Sequence, residues 1–271
     1  MAVRAKSRPG ADEVDHAADG RVKSADRVMS VLDLVAASGA LSFTAIVERL
    51  GLPKSSAHAL LRTMEDRGYL TLDPHAREYR LGSRIWELAQ AAHHGIEDLR
   101  TLIKPLMDGV MERTGETVQL ARLEGTDAVY LELSESPHAM KLTSRVGARL
   151  PAHASAIGKS LLASLEPEEA RRRLAAADLP RLTPRTITDP DELLGELERV
   201  RRQGYSVDNE EFATGLRCIA MPVRDATGRA VGAMSVSMPT PRYSRAAAAS
   251  ARRALAEAVA MAAESIGRWP E

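Results

Sequence analysis

The sequence predicts an α+β protein: a small helical module closed by a hairpin, a linker helix, and a larger module in which a sheet is flanked by helices. Three observations predict it. Residues 51–70, GLPKSSAHALLRTMEDRGYL, carry Ala57, Leu60, Leu61 and Met64 at the i, i+3, i+4, i+7 spacing of one helical face. Short alternating runs gather only beyond residue 97, at 117–123, 128–133 and 140–143 and again at 218–223 and 230–237. Helical patterns stand between and after them, a grouping that suits a mixed sheet domain and not a repeated βαβ array.

Composition bounds the rest. A chain of 271 residues with 44% hydrophobic and 27% charged residues is soluble, globular and long enough for two cores. Aromatics are only 3%, so those cores are aliphatic and much of the chain is helical. No apolar run approaches the roughly 20 residues of a membrane span, so no membrane partner is expected. Residues 1–20 are polar, mixed in charge and without the apolar segment of a signal peptide; a disordered arm is expected there. The single cysteine, Cys218, excludes an internal disulfide and fits a reducing cytoplasm. A net charge of +0 counts against a simple basic nucleic-acid binder. Residues 21–83 hold nine Lys and Arg against seven Asp and Glu, a difference of only +2. Pattern, not charge, has to support any nucleic-acid reading.

In chain order, Ser24 is placed to cap a helix whose Val28, Val31, Leu32 and Val35 form one stripe ending near Gly39. Leu41 and Ser42 lead into a short helix with Ile46, Val47 and Leu50 inward, and Gly51-Leu52-Pro53 turns the chain into the helix above, which Pro53 starts and Gly68 stops. A short helix, a glycine turn and a second amphipathic helix make a helix-turn-helix. Residues 69–72 and 78–81 alternate around Asp73-Pro74-His75-Ala76-Arg77, which reads as a hairpin. The N-terminal module, 21–83, is therefore expected to be a winged helix-turn-helix. Lys54, Ser55, Ser56, His58 and Arg62 lie on the polar face near the second helix start, where a major-groove helix carries the side chains that reach bases and phosphates. Arg77 and Arg80 on the hairpin suit a phosphate or the minor groove, although a solvated hairpin with two arginines fits as well. The partner this implies is double-stranded DNA.

Ser83 then caps a helix through Ile85, Trp86, Leu88 and Ala92, a linker over 84–96. The adjacent His93 and His94 diverge on a helix and make a poor metal site, so no metal is expected. Beyond it, over 97–271, a helix to residue 113 precedes the first strands. Helical patterns follow at 154–164, 167–177 and 191–202, and an Ala-rich helix closes the chain over 243–269. There is no internal repeat, Walker A motif or GxGxxG, and no cofactor is expected.

The blocks SADRVMSVLDLV, GLPKSSAHALLRTMEDRGYL, YRLG, TGETVQLARL, RVGARLPAHASAIGKSLLA, TPRTITD, GYSVDNEE, GLRCIAMPVRD and SVSMP occur in this order over residues 25–242. In these blocks the chain resembles the IclR family of bacterial transcriptional regulators. A helix-turn-helix alone is a weak signal; a winged one followed by the C-terminal blocks is specific. The resemblance implies a GAF-like effector-binding domain over 97–271, homodimers or dimers of dimers, and small-molecule control of operator binding.

A small-ligand site needs apolar walls and a few convergent polar groups. Ser235 and Ser237 lie two apart in a strand, so both hydroxyls share one face. Residues 153–159 place small residues at a helix start, where free N–H groups favour an anion such as a carboxylate. Asp208 precedes the acidic Asn209-Glu210-Glu211 run and is suited to accept from a ligand hydroxyl or hold a neighbouring amide. The resemblance implies that effector positions are Ala156, Ile157, Asp208, Cys218, Ser235 and Ser237, with apolar walls at Leu142, Leu150 and Leu216. Ile157 departs from the small residue often found there and is expected to narrow the pocket. Arg145 and Arg149 are candidates for a second carboxylate. Each residue also has a plainer reading. The serines satisfy backbone at a sheet edge, Cys218 is a small hydrophobe, Asp208 to Glu211 is a solvated turn, and Lys159 is an exposed helix residue.

The favoured function is a cytoplasmic, non-enzymatic regulator that reads a palindromic operator as a two-fold dimer, its affinity shifted by a small organic or aromatic carboxylate. The alternatives are a hydrolase-like domain, with Cys218 as nucleophile and His153 as base or Ser155 paired with His153, and a redox sensor built on Cys218. Against the first, Ser155 lacks a GxSxG elbow and no acid partner accompanies His153.

Overall fold

The computed structural model describes residues 3–4, 22–92 and 96–266. It divides into two compact units, residues 11–94 and residues 1–10 with 95–271. The expected N-terminal arm, apart from a two-residue strand, and the His93–His94 pair lie outside the described residues.

That strand, β1 (Val3–Arg4), pairs with a strand of the larger unit. The smaller unit comprises α1 (Lys23–Ser38), β2 (Leu41–Ser42), α2 (Phe43–Leu50), α3 (Lys54–Asp66), β3 (Leu70–Asp73), β4 (Glu78–Leu81) and α4 (Ser83–Ala92). Its strands form an antiparallel sheet in the order β2-β4-β3. Val31, Val35, Ile46, Val47, Ala57, Leu61, Met64, Leu70 and Tyr79 make one aliphatic core, the stripes that helical spacing anticipates. The Ser42 hydroxyl caps α2 by accepting from the Ala45 N–H at 3.3 Å. Gly51 ends α2 in the left-handed region (φ 60°), which turns the chain sharply into α3. Ser24 does not cap α1: the helix begins one residue earlier, after Val22, with no side-chain cap. In the hairpin turn Asp73 accepts from the His75 and Ala76 N–H groups at 2.9 and 3.0 Å, and Arg77 takes φ 53° to close the loop.

The larger unit runs α5 (Ile96–Thr114), β5 (Thr117–Glu124), β6 (Asp127–Ser134), β7 (Leu142–Thr143), β8 (Arg149–Pro151), α6 (Ala156–Ala163), α7 (Pro167–Ala175), α8 (Pro190–Gln203), β9 (Ser206–Asn209), β10 (Leu216–Arg224), β11 (Ala230–Pro239) and α9 (Arg245–Ile266). β7 pairs with β1, and six strands form an antiparallel sheet in the order β8-β6-β5-β11-β10-β9. Side chains alternate across it. Val118, Leu120, Ile219, Met221, Val236 and Met238 pack in one core with α5 and α9, whereas Ala121, Tyr130, Cys218, Ala220 and Ala233 face α6 from the other side. The short strands β8 and β9 carry no clear alternation in sequence and become visible only through pairing.

Helix α6 fixes the second layer. All eight of its residues are buried. It lies so close to the turn at Ala152–Ala154 that a Cβ at Gly158 would fall 2.2 Å from the Ala152 Cα and 2.4 Å from its carbonyl oxygen. Since those atoms are backbone, Gly158→Ala is expected to destabilise the larger unit by roughly 2 to 3 kcal/mol in urea unfolding. A change within about 0.5 kcal/mol, the scale of an innocuous surface substitution, would contradict this packing.

Candidate functional site

Two constellations stand out, one in each unit. On α3 the side chains of Lys54, Ser55, Ser56, His58 and Arg62 are exposed while Ala57, Leu61 and Met64 are buried. Pro53 precedes the helix and no side chain caps it, so the first-turn N–H groups face outward. The His58 ring stacks on Phe43, the first residue of α2, at 4.0 Å between centroids. Arg62 extends into solvent, its nearest acid Asp66 at 3.9 Å. On the hairpin Arg77 and Arg80 are exposed, Arg80 lying 4.0 Å from Glu78.

In the larger unit, Leu142, Leu150, Ala156, Ile157, Asp208, Leu216, Cys218, Ser235 and Ser237, all nine residues singled out from sequence, border one cavity, together with Tyr130, Ser155 and Phe212. Its volume is ≈ 10 Å³, space for about one water. Strand register explains the convergence: Asp208 pairs with Cys218 and Cys218 with Ser237, a row across three strands, while the next row aligns Ala220, Ser235 and Gln119. Above them sits the start of α6. The Ser155 hydroxyl accepts from the Gly158 N–H at 3.2 Å, leaving Ala156 and Ile157 as the first two helical residues, whose N–H groups have no acceptor within the helix. Ser206 ties this end to the sheet, its hydroxyl donating to the Ala156 carbonyl at 2.6 Å.

The acidic run is not a solvated turn. Asp208 is buried, and its Oδ1 accepts from the Glu211 and Phe212 N–H groups at 2.6 and 3.3 Å. Burial pushes its carboxyl from the ordinary 3.8 up to about 7; the Glu211 charge adds to the rise, and the two N–H groups and Lys159 oppose it. Burial, then the Asp208 charge, raises the Cys218 thiol well above its usual range, and burial also raises the Tyr130 hydroxyl. Lys159 is likewise not an exposed helix residue. It is 1% exposed, and its Nζ lies 2.6 and 2.7 Å from the Glu211 carboxylate oxygens and 3.9 Å from Glu196. Glu210, left-handed at φ 64°, turns Glu211 inward.

The TPRTITD block has a role that sequence reasoning missed. Thr186 donates to the Glu211 carbonyl and Thr183 to the Glu210 carbonyl, each at 2.7 Å, and Thr186 in turn accepts from the Leu182 and Thr183 N–H groups. Phe212, a wall of the cavity, gave no local signal, whereas Ser155 carries a recognisable N-cap signature.

The arginine candidates lie elsewhere. Arg149 pairs with Glu124 and Asp127, because it alternates with the inward Leu150 on β8; Arg145 is exposed on the preceding loop. The nucleophilic alternatives also find little support. His153 Nε2 is bonded to the Pro180 carbonyl at 3.1 Å, burial lowers its basicity, and Ser155 is engaged with Gly158. A thiol raised by burial is the reverse of an activated nucleophile or an easily oxidised sensor.

A family model described as "Bacterial transcriptional regulator IclR C-terminal" matches residues 91–268, and one described as "IclR helix-turn-helix domain" matches residues 24–74. The chain is 36% identical over 244 residues to the HTH-type transcriptional regulator BhcR of Paracoccus denitrificans, covering 88% of this chain and 85% of that one. It is 35% identical over 247 residues to the HTH-type transcriptional regulator XynR of Escherichia coli, covering 91% and 98%. It also resembles the crystal structure of an IclR homolog complexed with 4-hydroxybenzoate from Microbacterium hydrocarbonoxydans, with a TM-score of 0.77 at 32% identity over 90% of this chain and 98% of that one.

The Asp208 carboxyl yields a pH prediction. An acid whose folded pKa is raised holds its proton more tightly when folded, so its stabilising contribution is complete below about 3.8 and is lost as pH rises through about 7. Relative to Asp208→Asn, the wild-type Tm should therefore fall between acidic and neutral pH. Parallel curves for the two proteins would contradict the buried carboxyl.

Proposed function

The chain belongs to the IclR family of bacterial transcriptional regulators, and from that membership we propose how it reads DNA and responds to a ligand. Its α3 enters the major groove of a palindromic operator as part of a homodimer or dimer of dimers, in the cytoplasm. The exposed strip from Lys54 to Arg62 supplies base and phosphate contacts, the free first-turn N–H groups a further phosphate contact, and Arg77 and Arg80 a backbone contact from the wing. With a local excess of only +2, one copy binds weakly, and pairing of two or four recognition helices supplies the affinity.

The effector we propose is a small organic or aromatic carboxylate in the α6–sheet cavity. The observation that supports this most directly is that the start of α6, whose first two N–H groups have no acceptor within the helix, Ser235, Ser237 and the Cys218 thiol all border one buried cavity with leucine walls. That a homolog of similar fold is complexed with 4-hydroxybenzoate agrees with this ligand class. A cavity of ≈ 10 Å³ is far below the roughly 300 Å³ of a typical ligand pocket, so the effector selects an arrangement in which the Ile157 and Phe212 walls stand further apart. A ligand that prefers one DNA-binding arrangement over the other then changes operator affinity by a coupling of about 1 to 3 kcal/mol, roughly 5- to 150-fold. The nucleophile and base candidates are engaged elsewhere: His153 with the Pro180 carbonyl and Ser155 with the Gly158 N–H.

Mobility shifts on the gene's own upstream DNA, with and without a panel of small carboxylates, test this reading. Arg62→Ala should weaken operator binding about 5- to 150-fold; equal loss on operator and random DNA would reduce Arg62 to a phosphate contact. Ser235→Ala combined with Ser237→Ala should leave ligand-free operator binding intact and remove the carboxylate response. A double variant that still responds with an unchanged midpoint would place the effector elsewhere.

A further inference from the structure

Behind the serine pair lies a side chain whose hydrogen bonds are lopsided. Gln119 on β5 is fully buried and stands in register with Ser235, on the cavity side of the sheet. The Ser235 and Ser237 hydroxyls both donate to its Oε1, at 2.8 and 3.1 Å. Its Nε2 is buried and has no hydrogen-bond partner among the described residues. Each hydroxyl has one proton, so both serine protons are committed to Gln119. The Ser237 oxygen also lies 3.2 Å from the Cys218 sulfur. In this arrangement the serines show the cavity lone pairs, which repel a carboxylate.

We propose that Gln119 sets the hydrogen-bond polarity of the cavity and is a specificity-determining residue for the effector. The inference rests on the reading that the cavity takes a small carboxylate. Turning the carboxamide half a revolution about its last side-chain bond exchanges oxygen and nitrogen with almost no change of shape. The amide N–H groups then donate to the two serine oxygens, and both serine protons turn to the ligand. The group left unpaired changes from a buried N–H to a buried carbonyl, the less demanding of the two. No proton leaves or enters the site. In the unturned state the same serines accept from a ligand N–H or O–H, so the amide orientation decides between anionic and neutral donor ligands.

The test is a titration of the ¹⁵N-labelled full chain with acetate and 4-hydroxybenzoate, and with acetamide and 4-hydroxybenzamide, following the Gln119 side-chain amide, assigned by its loss in Gln119→Leu. Carboxylate binding should move that amide proton pair downfield and slow its exchange, as an unpaired donor becomes paired, whereas the neutral amides should leave it in place. Gln119→Glu, which keeps the acceptor and removes the donors, should weaken carboxylate binding roughly tenfold or more. Gln119→Leu, which releases the serine protons, should bind carboxylate within a few-fold of wild type, an outcome that a merely structural role would not give. Wild-type binding of a carboxylate with an unmoved Gln119 amide, or with equal affinity in Gln119→Glu, would overturn the inference. Failure of every carboxylate to perturb any cavity resonance would overturn the underlying reading, and the inference with it.

Discussion

The larger unit depends on a lysine that has been taken out of water. Lys159, on a helix with no exposed residue, ends between Glu211 and Glu196, in hydrogen-bond contact with both oxygens of Glu211. Burying either charge alone would be prohibitive, and the pair is tolerated because each supplies what the other lost. The bond joins α6 to the turn between β9 and β10. In that turn, Asp208 takes the Glu211 and Phe212 N–H groups, Glu211 takes the Asn209 N–H at 3.2 Å, and Thr183 and Thr186 take the Glu210 and Glu211 carbonyls. The turn is thereby held from both sides, and Asp208 and Phe212 are presented as walls of the cavity.

The same closure explains why the cavity is small and why its acidic groups hold their protons more tightly than usual. With α6 drawn onto the sheet, Gly158 against the Ala152 backbone and Ser206 bonded to the Ala156 carbonyl, no spare room is left beneath Ile157. Exclusion of water raises the carboxyl of Asp208 and the thiol of Cys218 together. An anion entering such a site therefore meets a protonatable wall and not a fixed negative one. If the cavity takes the proposed effector, sensing and stability draw on the same contacts, and a ligand there would bias the fold.

What could be read from the sequence was what repeats locally. The stripes of α1, α2 and α3, the alternation of β5, β6, β10 and β11, and the glycine turn at Gly51 follow from spacing alone. The nine cavity residues were reached through a family resemblance, since residues as far apart as Leu142 and Ser237 share no local pattern. Lys159 and Glu211 stand 52 positions apart, and a lysine in a short helix reads as exposed unless its partner is known. Thr183 and Thr186 reach carbonyls more than twenty positions away, and Arg149 finds its acids on β5 and β6. Gln119 looks like any polar residue in a half-buried strand until register sets it opposite Ser235. Long-range polar pairing is the part that periodicity does not encode.

The buried ion pair is tested most directly by a double-mutant cycle on Lys159→Met and Glu211→Leu, measured by urea unfolding. Lys159→Met leaves the buried Glu211 without its cation and Glu211→Leu leaves Lys159 only Glu196 at 3.9 Å, so each should cost about 3 to 5 kcal/mol, while the double variant, apolar on both sides, should recover most of that loss. Additive losses, with a coupling below about 0.5 kcal/mol, would mean that Lys159 and Glu211 are held independently and that the pair does not organise the unit.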